Sequence, residues 1–382
     1  MPTAVPFRQA ADSCPGALQV HEAADGGLAR VRIPGGVVSL TQWRALLPFA
    51  PLELTSRANL QIRGVTDSDA LAARLADVGL LPSATHERVR NIVASPLGGA
   101  GPVVSALDRA LCADGELSEL PGRFLFAIDT DRDVVSLGAD VTVLLGADPV
   151  PVLLAGVDSG LRVRAGQAVA ALIAAARCFL LERAAQASKA WRLSELDDAV
   201  ARVARRMQPA LACALVEPSV LAPLRGADPI GALDGAVGVV VPLGRLTGTQ
   251  MDAITEVARN EIIVTPWRGV VLPGVGPEAL APLAEAGLVT DPASAWASAS
   301  ACTGLPGCAK SRTDVHADAA TALRNPGALL PVHFAGCARR CGHPADVHVD
   351  VLATTDGYQV DGEPVPVDEL PAAVAAARRI KR

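Results

Sequence analysis

The chain repeats itself at a displacement of about 208 residues, which constrains its fold more than any single motif. Asp25-Gly26-Gly27-Leu28 leads through Val31-Arg32-Ile33 to Pro34-Gly35-Gly36 and Thr41-Gln42. Asp234-Gly235-Ala236-Val237 leads through Val239-Val240-Val241 to Pro242-Leu243-Gly244 and Thr249-Gln250, and Pro34 to Pro242 is 208 positions. Leu75-Ala76-Asp77-Val78-Gly79-Leu80 recurs at the same displacement as Leu283-Ala284-Glu285-Ala286-Gly287-Leu288. Pro121 and Phe124 match Pro331 and Phe334 at 210, and Ala139 to Val143 matches Ala345 to Val349 at 206. Four matches in order at nearly constant displacement predict two copies of one α+β unit.

Within a copy, alternation predicts a strand over Leu28 to Ile33, then a Pro-Gly-Gly turn and a helix starting near Thr41. Strands follow at Leu52 to Leu54 and Asn59 to Ile62. A second helix opens at Thr66 or Ser68, aligns Leu71, Leu75 and Val78 on one face, and stops at Gly79. This order predicts a small sheet with helices on one face. The later part of each copy starts near residue 85 or 293, and the first copy carries an Ala/Leu/Arg-rich stretch, Ser159 to Arg225, read as a helical insertion.

The chain has 382 residues, 50% of them hydrophobic and 19% charged, enough for one large core or several. A net charge of −6 and only 3% aromatic residues argue against a nucleic-acid binder, which needs basic grooves and stacking platforms. Met1 to Gln9 lacks an export signal's basic-then-apolar order, and the apolar run Ala165 to Ala176 is too short to span a bilayer. The expectation is a soluble, cytoplasmic protein with no membrane or nucleic-acid partner, whose eight cysteines are thiols or metal ligands.

Four of those cysteines lie in the second copy. Cys302 and Cys308 have five residues between them, Cys337 and Cys341 have three, and both pairs sit in Gly-containing loops. The matching stretch of the first copy, Ala94 to Gly101, has the loop without a thiol. Four thiolates suit an iron–sulfur cluster or zinc. The five-residue gap is wide for zinc, whereas a [4Fe–4S] cube spans it; inert thiols are the plain alternative. Cys14, Cys112, Cys178 and Cys213 are scattered and read as small buried hydrophobes.

On these residues the chain resembles the sirohaem-dependent sulfite and nitrite reductases. The cysteine pattern on a duplicated unit carries the resemblance, with Leu54 to Gly64 and Val89 to Pro96 as further signatures. Asp12 to Gly16, Thr265 to Gly274 and His333 to Pro344 look like one branch of that superfamily, the precorrin-3B synthases of aerobic cobalamin (vitamin B12) biosynthesis. One departure stands out: where the reductases place two lysines over the bound anion, this chain has Arg123 and Leu125.

The resemblance implies an α+β fold of two ferredoxin-like half-domains, each followed by a cluster-type domain, about a pseudo-twofold. The expected boundaries are 1–80, 81–227 with the insertion and no cysteine ligands, 228–291, and 292–382 holding a [4Fe–4S] cluster through Cys302, Cys308, Cys337 and Cys341. It also implies a monooxygenase that hydroxylates precorrin-3A with O2 at C20 and closes a γ-lactone. Electrons come from an external NADH-derived reductase or ferredoxin, and a mononuclear non-haem iron is a second implied cofactor. Arg57, Arg63, Arg90, Arg123, Arg268, Lys310 and Arg312 are the candidate carboxylate ligands, because guanidinium forks pair with carboxylates in bidentate fashion. Each is a solvated surface charge on the plainer reading. Under the first alternative the macrocycle is sirohaem and the chain reduces sulfite or nitrite; under the second it is a non-catalytic four-cysteine metal protein that binds a tetrapyrrole.

Four of six histidines fall at His316, His333, His343 and His348. Imidazoles suit a second iron, but alternation makes His348 a strand residue and His343 a support of the cysteine loop, so no ligand is assigned. Gly274 to Ala279 fits G-x-G-x-x-A, yet its repeat counterpart, Gly64 to Asp69, makes it a plain passage from loop to helix and not a nucleotide site.

Overall fold

The structure, a computed structural model, describes residues 12–219, 228–323, 330–344 and 346–379. Met1 to Gln9, the end of the expected insertion at 220–225 and Ala345 lie outside the described residues. The strands form four sheets in an α+β arrangement. Sheet I runs His21–Ala23, Gly26–Val31, Leu60–Val65, Leu52–Leu54 and, from the second copy, Arg245–Leu246. Sheet III runs Gly231–Leu233, Ala236–Val240, Gly269–Pro273, Glu261–Val264 and, from the first copy, Val37–Ser39.

The two sheets thus exchange a strand, and the registers are equivalent. Val38 pairs with Ile262 and Leu246 with Leu52; each copy lends the segment after its Pro-Gly turn to the other. That turn needs left-handed backbone, supplied by Gly35 and Gly36 in the first copy and by Leu243 and Gly244 in the second. A capping box follows in both, Ser39 with Gln42 and Thr247 with Gln250, and starts the helices Leu40–Leu46 and Gly248–Val257. One hydrophobic core serves both halves, from Ala29, Val31 and Ile33 to Val237, Val239 and Val241. The helix expected from Thr66 or Ser68 is Ser68–Asp77, with Asp67 as its cap because the Asp67 carboxylate accepts from the Ala70 amide at 2.9 Å. Sheet III is antiparallel and Gly274 (φ 70°) mirrors Gly64 (φ 68°), so the G-x-G-x-x-A stretch lacks a parallel βαβ setting.

Sheets II and IV also share a plan. In sheet II the strands Ile92–Ala94, Phe126–Asp129 and Val141–Leu144 are parallel, then Val150–Leu154 and Val157–Val163 turn antiparallel, with Ala214–Leu215 at the edge. In sheet IV Ala299–Ala301, Val332–Ala335 and Val349–Ala353 are parallel, then Tyr358–Val360 and Glu363–Val365 turn antiparallel. Ladder registers correct two repeat matches: Phe126 takes the place of Val332 and Val141 that of Val349, so Phe124 and Phe334 are not equivalent. The stretch read as an insertion also begins with repeat structure. Val157–Val163 is the last strand of the shared plan, and the helix Ala168–Ala185 follows it as Leu370–Arg379 follows Glu363–Val365. What the first copy adds is the long helix's extra turns, the helix Ala199–Leu211 and the edge strand. Among the described residues no helix is long and apolar enough to cross a membrane.

Candidate functional site

Sheet I and sheet III bury equivalent faces but show different open ones. On sheet I, Arg30 donates to the Gln61 side chain at 3.2 Å and Gln61 to Glu53 at 3.0 Å. Arg63 and Arg245 stand 3.9 and 3.6 Å from the same Glu53 carboxylate. The equivalents on sheet III are apolar: Ile263 replaces Glu53, Val271 replaces Gln61, and both pack with Ala236. Gly238 and Val240 stand where Arg30 and Arg32 would be. Only one of two symmetry-related faces is built to meet a polar, anionic object.

The Cys302–Cys308 loop lies against that polar face. Cys302 and Cys337 follow adjacent parallel strands at their carboxyl ends, where ligands of α/β sheets gather. The Cys302 amide donates to the Phe334 carbonyl at 2.9 Å, and the Gly336 amide donates to the Cys302 sulfur at 3.2 Å. Such N–H···S bonds are a recurrent feature of thiolates that hold iron–sulfur clusters. Burial pushes the Cys302 thiol pKa up, the Gly336 and Gly304 amides oppose this, and the nearby Cys341 and Cys308 thiols add to the rise. Across the gap, Arg63 donates to the Gly307 carbonyl at 2.6 Å and Arg245 to the Thr303 carbonyl at 3.1 Å, tying the Cys302–Cys308 loop to sheet I.

Beyond Glu53 the polar face becomes strongly basic. Arg32 is 2% exposed, and its two terminal nitrogens have no hydrogen-bond partner among the described residues; only its Nε–H is used, on the Arg88 carbonyl at 3.1 Å. Burial, then repulsion from Arg30, pushes its pKa down to about 9. Arg57 is pushed down to about 10 by burial and by Arg192, and donates to the Arg123 carbonyl at 3.1 Å. Arg30 is lowered too, by burial first, against the opposing pull of Cys14 and Asp12. A buried cation without a partner costs several kcal/mol, and the nearby Cys14 and Asp12 offset only part of the positive charge around Arg32.

Of the residues singled out from sequence, Arg57 and Arg123 meet in this cluster, and Arg63 joins the cysteine loop. Arg123 also lies over the Trp191 ring at 5.2 Å. Arg90 stands apart, 4% exposed, with a bidentate pair to Asp108 at 2.7 and 2.8 Å. Arg268, in left-handed backbone at φ 58°, donates to the Gly342 carbonyl at 3.3 Å. Lys310 and Arg312 line a 480 Å³ cavity with Cys337 and Arg339. Sequence reading missed Arg30, Arg32 and Arg192. The Arg30-Val31-Arg32 alternation was a usable signal, since it aims both guanidiniums away from the buried Ala29, Val31 and Ile33.

The histidine reading changes as well. His348 precedes its strand and is not part of it; its ring stacks on His343 with centroids 5.9 Å apart. His333 is fully buried, with both rings 6.4 to 6.5 Å away. Burial, then Arg268, pushes the His333 pKa down to about 3. His316 donates its Nε2–H to the Cys302 carbonyl oxygen at 3.1 Å.

The family model of the nitrite/sulfite reductase ferredoxin-like half domain matches residues 233–287, which contain the three central strands of sheet III, Ala236–Val240, Glu261–Val264 and Gly269–Pro273. That stretch is similar to a nitrite/sulfite reductase half domain. A solved structure, the NirA protein of Mycobacterium tuberculosis, superposes with a TM-score of 0.72 at 20% identity, over 96% of this chain and 83% of that one. The nitrite/sulfite reductase-like fold therefore extends well beyond the half domain that the family model matches. In sequence the chain is similar to a precorrin-3B synthase from Sinorhizobium sp, 25% identical over 383 aligned residues, covering 91% of this chain and 81% of that protein.

Proposed function

We propose that the chain is an oxidoreductase of the precorrin-3B synthase type, which hydroxylates precorrin-3A with O2 and forms the γ-lactone in cobalamin biosynthesis. The observation that carries this reading is the Arg32 guanidinium, buried and unpaired beside Arg30, Arg57 and Arg123, on the one open sheet face that meets the Cys302–Cys308 loop. A tetrapyrrole with acetate and propionate arms supplies the carboxylates that such a cluster lacks. The precorrin-3B synthase likeness over nine-tenths of the chain supports the same choice.

Cys302, Cys308, Cys337 and Cys341 would hold the [4Fe–4S] cluster. The donor chemistry fits, four thiols on two loops with the Gly336 amide aimed at the Cys302 sulfur and with Cys308 and Cys341 close enough to act on its charge; among the described residues no three such side chains stand at ligand distance, so a cluster would have to draw the two loops together. When bound, such a cluster supplies single electrons. The protein's own residues then bind and orient. Arg32, Arg57 and Arg123 grip carboxylate arms, while the Arg63 and Arg245 contacts to Gly307 and Thr303 fix the cysteine loop against the face where the macrocycle lies. A mononuclear iron is a further part of this reading, as is an external electron donor, a reductase or ferredoxin.

The reductase alternative is less favoured by Leu125. Its side chain is 2% exposed in an apolar cluster with Val93, Ala127 and Val134, so position 125 supplies no cation where the reductases place their second lysine. Anaerobic incubation of reduced protein with precorrin-3A, followed by O2, tests the proposal. Oxygen-dependent appearance of the hydroxylated lactone supports it. Nitrite or sulfite reduction without tetrapyrrole turnover would replace it with the reductase reading.

A further inference from the structure

We propose that Trp191 is a positioning residue of the tetrapyrrole site, its indole face holding the Arg123 guanidinium ready for a carboxylate arm; the inference rests on the reading of Arg123 as a carboxylate ligand. The backbone around Arg123 is already fixed. The Phe124 amide closes a turn onto the Pro121 carbonyl at 2.9 Å, the Gly122 carbonyl accepts from the Asn91 side-chain amide, and the Leu125 amide donates to Asp140 at 2.8 Å. Gly122 is tightly packed as well, since a Cβ there would lie 3.1 Å from both Asp12 and Cys14. The side chain is different. Arg123 is exposed and has no ion pair among the described residues, so left to itself its guanidinium would sweep through many rotamers. What restrains it is the Trp191 ring, whose centroid lies 5.2 Å from the guanidinium carbon. A ring face attracts the cation without neutralising it, so the charge stays free for an incoming carboxylate. A carboxylate partner in that place would instead have to be displaced.

The ring is itself held by what the first copy adds to the shared plan. Trp191 lies on the segment that joins the helix Ala168–Ala185 to the helix Ala199–Leu211, and Ala190, Leu193 and Leu196 anchor that segment in the first copy's core. The Asp140 carboxylate, 1% exposed, then staples it to the Arg123 segment. One oxygen accepts from the Leu193 amide at 2.6 Å, the other from the Arg192 Nε–H at 2.7 Å and from the Leu125 amide at 2.8 Å. A single buried group therefore fixes the residue two places after Arg123 and the two residues after Trp191, which sets ring against guanidinium. The segment borders the basic cluster: burial first, then Arg192, lowers the Arg57 pKa, and Arg57 donates to the Arg123 carbonyl at 3.1 Å. Arg30, Arg32 and Arg57 each donate to a protein oxygen, whereas Arg123 has the ring instead. Restraint before binding lowers the ordering cost when the carboxylate arrives.

Anaerobic titration of the purified chain with precorrin-3A, read as Kd, tests this in a double-mutant cycle. Arg123→Gln should weaken binding roughly tenfold, the loss of one charge-assisted pair. Trp191→Leu should weaken it roughly fivefold. The double variant should bind no worse than Arg123→Gln alone, because the ring acts only through the guanidinium. Trp191→Phe keeps an aromatic face and should bind within about twofold of the parent. Trp191→Gln, a polar choice for a half-buried position, repeats the cycle if the leucine variant does not fold. Undiminished binding by Trp191→Leu overturns the inference. So do losses that add in the double variant, or a loss in Trp191→Phe as large as in Trp191→Leu; each of these leaves the tetrapyrrole reading standing. A parent chain that does not bind precorrin-3A, or an Arg123→Gln variant that binds as the parent does, overturns the reading of the site and the inference with it.

Discussion

Trp43 donates its indole N–H to the carbonyl oxygen of Met251 at 3.2 Å, and the two residues occupy the same position in the two copies, 208 apart. The bond joins the helix Leu40–Leu46 to the helix Gly248–Val257 next to the pseudo-twofold, inside the shared core where Trp43 is fully buried. Trp43→Ala should cost about 3–5 kcal/mol, as large aromatic truncations in cores do. Both halves should unfold in one transition, because strands Val37–Ser39 and Arg245–Leu246 are exchanged. Trp43→Phe should cost only about 1 kcal/mol, since the Met251 carbonyl also accepts from Thr255 Oγ1 at 2.7 Å and is not orphaned. Denaturant melts followed by circular dichroism measure both. Two separate transitions would contradict the shared core.

Arg32 offers a trade of stability against binding. Replacing it by Met keeps the volume and removes an unpaired buried charge, so Arg32→Met should raise the melting temperature of the ligand-free chain. The same change should weaken tetrapyrrole binding by roughly tenfold or more, the loss of one charge-assisted carboxylate pair. A variant that is destabilised and binds as well as the parent would remove Arg32 from the site.

Cys302→Ser should abolish the visible absorbance of the cluster, whereas Cys112→Ser should leave it intact, since Cys112 lies on the helix Gly101–Ala113 of the other copy. Circular dichroism should show both variants folded. An intact cluster in Cys302→Ser would refute the ligand assignment.

Asp158 sets an acid limb of stability. Burial alone would raise its carboxyl pKa, but the Arg162 pair at 2.7 Å and the Ser219 and Gly160 amides hold it well below the usual carboxylate range. Its folded pKa is depressed, so its contribution is full above the unfolded value near 4 and is lost as pH falls below that. Asp158→Asn should lower stability at neutral pH by about 3 kcal/mol and flatten the decline below pH ~4, because it leaves Arg162 without its partner. Melting curves from pH 7 down to 3 check the sign.

The duplication, the strand–helix order and the cysteine-bearing copy were legible because each rests on local pattern: alternation, Pro-Gly turns, capping residues and spacing. Two things were not. The strand exchange leaves no trace in local sequence, because Val38 finds Ile262 only once both copies are folded. The polar face escaped for a related reason. Arg30 and Arg32 look like ordinary strand charges until the register sets them beside Arg57 and Arg123 from other loops. Arg90, attractive within its signature, turned out to be bound to Asp108, a residue 18 positions away that no motif links to it. His348 was assigned to a strand by alternation that the loop before Val349 breaks.

The most direct measurement is iron, zinc and acid-labile sulfide content of the anaerobically purified chain, with its visible and electron paramagnetic resonance spectra. The account predicts iron and sulfide bound in nearly equal amount, a small excess of iron, a cubane signal on reduction and no chlorin band. Zinc without sulfide, or a strong red chlorin absorption, would contradict it.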